Sequence, residues 1–396
     1  MTTTVPPRLS VGDRPSADTT DTLSPVDERP TEVLAQQRAE QQRPGIGDLP
    51  EQRRVLSSRS LDDSATLLGA GASSGAVVWV VYEGLLPFSG GLGFLVLWYA
   101  TFVLLYGVLT ALGNPSPVVA DRLSAAVVVG GAAVVGLGLL SVVTVTFYRG
   151  RESLVHVGML VTDGTVVGPR TGLSVGGFGH AIVGSLIQIS IAVMIALPLG
   201  VGAAVFMTEV GGRFAKLVRT VVEAMTALPS IVAGLFIYTT WLIALGNQRS
   251  GFAASLALSV MMLPIIARAA EVVLRVVPGG LREASLALGA SQWQTVWRVV
   301  LPTARPGLAT ALILGVARGI GETSPVLLTA GTSQFLNVNP FSGGMVSLPL
   351  YTYEFARSGE PLLIARAFGA ATVLLVLVLA LFVVARSLAK QRTGHR

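Results

Sequence analysis

The sequence predicts an all-α polytopic membrane protein. Of its 396 residues, 52% are hydrophobic and only 13% are charged, against roughly a quarter charged in soluble domains. Apolar runs of about 20 residues, the length that crosses some 30 Å of hydrocarbon, recur along the chain. The loops between them concentrate arginine on one face, the pattern that orients membrane proteins.

Residues 1–64 are polar and rich in Pro, Arg, Asp, Gln and Thr. They have no apolar periodicity, so a disordered polar tail is expected. Candidate spans follow near 66–86, 92–112, 124–147, 181–207, 218–245, 253–273, 306–330 and 362–386, about eight in all. The first is the weakest, because GAGASSGA is small rather than greasy. If the eight alternate, one face collects Arg53, Arg54, Arg59, Arg122, Arg213, Lys216, Arg219, Arg275, Arg282, Arg298, Arg305, Arg386, Lys390, Arg392 and Arg396. The other holds Arg149, Arg151, Arg170, Arg249 and Arg357. The arginine-rich face is then cytoplasmic, and both termini lie inside. The long outer loops would be 148–180 and 331–361, both rich in small and polar residues.

Several chemistries are excluded. The net charge of +6 fits inner loops better than nucleic acid, since no basic stretch interleaves with exposed aromatics. There are no cysteines, hence no thiolate metal site. His156, His180 and His395 are scattered without carboxylates at ligand spacing, so neither a metal nor a catalytic centre is expected. Lys216 follows Ala215 and Lys390 follows Ala389, so the chain has no phosphate-cradling Gly-Lys-Ser/Thr loop of its own.

The segment REASLALGASQWQTVWRVVLP, Arg282–Pro302, interrupts the apolar pattern. It reads as two short helices. The first follows Pro278-Gly279-Gly280 and ends at Gly289, a left-handed terminator. Ser291 and Gln294 form a capping box for the second, which carries Trp293, Val296, Trp297 and Val300 at helical spacing. Pro302 should disfavour helix at Leu301 and redirect the chain. Local physics leaves two readings open: a knob that docks in a groove of another protein, or an amphipathic loop lying on lipid.

The same segment resembles the EAA loop of ABC-importer permeases. Glu283, Ala284, Ser285, Gly289, Val299, Leu301 and Pro302 keep that motif's spacing, with Ser285 and Val299 as mild departures. Three more stretches, ALPSIVAGLF (227–236), RGIGETSPVLLTAG (318–331) and VSLPLYTYEFA (346–356), resemble phosphate importers on the PstA side of the permease pair. The resemblance covers about residues 120–390. It implies a MetI-like permease domain at 121–390 with its EAA loop at 278–302. Two extra helices would lie at 65–120, and a cytoplasmic end at 391–396. It further implies a homologous PstC-type permease and a dimeric ATPase that binds ATP and Mg. An extracytoplasmic phosphate-binding protein would complete the set, leaving no cofactor in this chain. Glu283, Ala284, Ser285, Gly289, Leu301 and Pro302 would couple to the ATPase from the plasma membrane's inner side.

Charged residues inside spans are costly and face protein or water. Glu223, Arg268, Glu271, Arg318, Glu322 and Arg366 are such residues, and an arginine fork matches a phosphate oxyanion. Arg318 and Glu322 are four apart, hence on one helical face, with Arg318 about halfway along its span. Arg318, Glu322, Thr323, Ser324 and Arg268 are the candidate substrate path, although a structural ion pair is an equally plain reading for Arg318 and the favoured one for Arg268. Pro198, Pro229, Pro264 and Pro325 would each free a carbonyl four residues earlier. The alternatives are a permease for another oxyanion or small solute, and a secondary transporter. The latter would need coupling-ion carboxylates and an inverted repeat, and no convincing repeat is visible.

Overall fold

The computed structural model describes residues 61–85 and 90–389. The expected disordered tail up to residue 60, and the 391–396 end, lie outside them. The described residues form helices and no strands. They divide into two compact units, up to Val127 and from Val128 onward.

In the first unit, α1 (Leu61–Val80) ends in a π turn, Val81–Leu85, and α2 (Gly91–Gly113) packs beside it. Trp98 Nε1 donates to the Gly71 carbonyl at 3.1 Å. The small residues that weaken the first apolar run thus allow a tryptophan to reach backbone. The long helix α3 (Ser116–Leu154) begins in this unit and continues into the second.

The second unit centres on α4 (Gly179–Val205, extended by a π turn Phe206–Val210) and α7 (Gly251–Val276). Small residues let these helices approach closely, as membrane packing requires: a Cβ on Gly200 would meet Ile266 at 3.0 Å. Met262 and Ile266 of α7 also lie under Gly315 and Gly319 of α10 (Leu301–Gly319), where Cβ atoms would collide at 2.6 Å. The closing helix is α13 (Pro361–Ala389).

Among the described residues six helices are long and apolar enough to cross a membrane, seven if a bent pair counts as one span, against the eight expected; α1 is a shorter apolar helix. The fifth expected span is not straight. Helices α5 (Gly212–Thr226) and α6 (Ser230–Ile237, extended to Ala244 by a π turn) meet at 107°. Pro229 sits at the break as the N-cap of α6, with extended backbone, so it opens a helix rather than freeing a carbonyl inside one. Pro325 likewise starts α11 (Ser324–Thr329). Pro198 and Pro264 are true interior prolines.

The two glycine- and serine-rich loops pack on one another. Gly164 N–H donates to the Gln334 carbonyl at 2.7 Å, and α12 (Leu348–Ala356) lies within the second loop. Arg366 of α13 is fully buried and pins the first loop. Its guanidinium donates to the carbonyls of Gly172 (2.7 Å), Val175 (2.8 Å) and Gly176 (3.0 Å). A buried guanidinium with several carbonyl acceptors needs no carboxylate, so Arg366 stands in a structural role.

Candidate coupling knob and membrane cavity

The two short helices predicted from the polar segment form as α8 (Gly279–Ala287) and α9 (Gln292–Thr295). Gly289 has φ +83°. Its N–H donates to the Leu286 carbonyl and the Ala290 N–H to Ser285, the double closure that ends a helix on a left-handed residue. Ser291 and Gln294 make the reciprocal capping box. Ser285 Oγ lies 2.9 Å from Thr295 Oγ1, which ties one helix to the other. An alanine at position 285 has no hydroxyl and would lose that tie, so serine in the third place of the motif adds a contact between the two helices.

None of the α8 residues is buried. Glu283 and Ala284 are exposed, and Leu288 is 89% exposed. The motif residues of α8 thus face outward rather than into the core of the chain.

The knob is clamped to the end of α4. Arg282 donates to Glu209 from Nε (3.2 Å) and from a terminal nitrogen (2.9 Å), and to the Leu274 and Val277 carbonyls at 2.8 and 2.7 Å. Gln292 donates to the Glu209 carbonyl at 2.6 Å. Glu209 is nearly buried, at 8% exposure, so it depends on this partner. Sequence reasoning missed the pair because its members lie 73 positions apart.

Pro302 does not redirect the chain. Gln292–Gly319 runs as one long helix, and Leu301 has ordinary helical angles, φ −62° and ψ −43°. A π turn, Val296–Val300, precedes the proline, and the Leu301 N–H reaches back to the Val296 carbonyl. That wider turn accommodates a ring that would otherwise press on the preceding turn.

Arg318 sits in the last turn of α10, not halfway along a span. The helix breaks after Gly319, and Gly321, Glu322 and Thr323 lead into α11. The expected ion pair forms across this break: Arg318 Nε lies 3.1 Å from Glu322 Oε1. Glu322 is 13% exposed and Arg318 58%. The guanidinium lines a cavity of about 260 Å³ together with Met225, Thr226 and Leu228 of the bend and Val260 and Pro264 of α7. Val260 is the residue whose carbonyl the interior Pro264 leaves without an N–H. The two helix breaks adjoin, since a Cβ on Gly234 of α6 would meet Pro325 Cα at 2.6 Å. Thr323 and Ser324, half-buried, continue the chain from the ion pair.

Arg268 is not brought to this cavity. It pairs with Glu223 at 3.0 Å and Glu271 at 3.4 Å. Glu271, 3% exposed, also receives Arg219 (2.8 Å) and Arg275 (2.6 Å). Two carboxylates and three guanidinia thus fasten the amphipathic α5 to α7. Only Glu271 is buried in this cluster; the exposed Arg268–Glu223 pair at its edge is screened by solvent and contributes little.

The profile of the family described as "Binding-protein-dependent transport system inner membrane component" matches residues 196–392. That interval contains both knob and cavity. The chain is 44% identical over 204 residues to phosphate transport system permease protein PstA 1 of Mycobacterium tuberculosis (strain CDC 1551 / Oshkosh), which covers 51% of this chain and 67% of that one. It belongs to the PstA permease family. The Mycobacterium leprae PstA permease is 45% identical over the same length, and that of Xylella fastidiosa (strain 9a5c) 39% over 215 residues, covering 75% of it. Among solved structures, the inward-facing MetNI methionine ABC transporter aligns with 54% of this chain and 95% of its own, at 23% identity and a TM-score of 0.44. With six long apolar helices, this permease is a multi-pass membrane protein.

Proposed function

We propose that this chain is a transmembrane subunit of a phosphate importer powered by separate ATPase chains. The relatives named for phosphate transport support the substrate. The observation that carries the reading is that the matched family segment builds both an exposed knob and an arginine-lined cavity. In this reading the arginine-rich loops and both termini are cytoplasmic. A PstC-type permease completes the pore, and α8 docks on a dimeric ATPase that holds ATP and Mg. An extracytoplasmic binding protein delivers phosphate to the outer loops.

At the cavity, Arg318 offers its terminal nitrogens to phosphate while Nε holds Glu322. Phosphate competes with that carboxylate, so binding is strong enough to desolvate the anion and weak enough to release it. Arg268 serves the α5–α7 cluster and stands back from the path. Phosphate uptake by the assembled complex in vesicles tests the reading, with sulfate and other oxyanions as competitors. Arg318→Lys keeps the charge but loses the fork, so uptake should fall with assembly intact. The neutral pair Arg318→Gln/Glu322→Gln should stay inactive. Recovery of transport in that double variant makes the pair structural and removes Arg318 from the path.

A further inference from the structure

An apolar cleft of about 610 Å³ opens between α4, α10 and α13. Its walls include Ile189 and Val193 of α4, Leu312 and Val316 of α10, and Leu381 and Phe382 of α13. Along α10 the lining residues recur every three or four positions from Arg305 to Ile320, hence on one face. Arg305 is exposed and has no hydrogen bond or ion pair among the described residues. A free guanidinium therefore stands at one end of an apolar slot, the end near the knob.

We propose that this cleft holds one acyl chain of an anionic phospholipid, with Arg305 on its phosphate. The length suits an extended acyl chain. Fifteen positions separate Arg305 from Ile320, roughly 22 Å at 1.5 Å per residue, longer than the roughly 15 Å depth of one hydrocarbon leaflet. The charge favours an anionic headgroup, and basic pockets between spans on the cytoplasmic side take such lipids. That side is the one assigned to the knob in the proposed orientation. The site is separate from the substrate cavity, which lies by α6 and the other face of α7.

Native mass spectrometry of the assembled transporter tests this, after reconstitution in vesicles of phosphatidylethanolamine and phosphatidylglycerol. Lipid retention is read by mass, so the result does not depend on which solute is carried. Wild-type complex should retain phosphatidylglycerol. Arg305→Gln should lower that retention about fivefold, the factor one basic residue contributes near an anionic surface, and lower retained phosphatidylethanolamine less, because its own ammonium neutralises its phosphate. Leu312→Trp, which fills the slot, should lower retention of both. Arg298→Gln, on the same helix but outside the cleft, should do neither. The proposal is overturned if Arg305→Gln retains wild-type phosphatidylglycerol, or if Arg298→Gln loses as much. It is also overturned if a cysteine at Leu381 crosslinks to the partner permease, because the slot is then a subunit interface.

Discussion

Glu354 illustrates what one half-buried carboxyl does to the fold. It lines a cavity of about 470 Å³ with His180, Tyr351 and Gln334 where the two packed loops meet. Burial pushes its pKa above the ordinary 4.5. Burial also raises the Tyr351 hydroxyl to about 12, so it stays neutral through the physiological range. For Glu354 the folded value exceeds the unfolded one. Its protonated form therefore favours folding below the unfolded pKa, and that contribution is lost as pH rises through the folded pKa. Glu354→Gln keeps the shape and removes the titration. Its thermal midpoint relative to wild type should rise as pH climbs above the ordinary carboxyl value of 4.5, and a difference that stays flat contradicts the shift. Arg366, by contrast, stands out in the sequence only as a charged residue inside a span. Its acceptors are loop carbonyls, and no residue pattern announces a carbonyl partner some 190 positions away.

At the scale of elements, local signals were legible and bends were not. The capping box, the left-handed Gly289 and the starts of both helices follow from neighbouring residues, whereas the end of the second does not, since it runs on to Gly319. The run 218–245 is apolar throughout, and apolarity carries no direction, so the 107° turn at Pro229 was hidden inside it. Pro302 misled for the opposite reason: a π turn absorbs it, and π turns have no residue signature here. The knob supports a prediction at this scale. Gly289→Val forces a β-branched residue to positive φ, costing about 1–2 kcal/mol or more, and should loosen α8 without unfolding the membrane helices. Arg282→Ala strands the nearly buried Glu209 and should cost about 3–5 kcal/mol. Both should leave insertion intact and separate ATP hydrolysis from uptake. Normal coupling ratios in both variants rule out the clamped knob as the ATPase contact.

For the whole molecule, the count and order of apolar helices were readable because hydrophobic length is a property of composition. The ion-pair cluster on Glu271 was not, because Arg219 comes from another helix 52 positions away. Orientation follows from arginine placement and can be checked directly, since the chain has no cysteine of its own. Single cysteines at Thr165 and Ser342 should react with an impermeant maleimide added to intact cells. A cysteine at Gln292 should react only after permeabilisation. Labelling of Gln292→Cys from outside inverts the topology and with it the cytoplasmic knob.

The unbroken helix from Gln292 to Gly319 makes the knob and the cavity two ends of one lever. Its 28 residues measure roughly 42 Å at the α-helical rise. Near its foot the clamp to Glu209 acts as a fulcrum, and at its tip stands Arg318, one residue before the chain bends away. A tilt of about 10° at the foot would carry the tip roughly 7 Å on a rigid rod of that length. A stroke delivered to Gln292 would then shift the Arg318–Glu322 pair against Met225 and Thr226 of the bend, through a shaft that holds a π turn and Pro306. The proline that should have broken this helix instead lies inside the shaft.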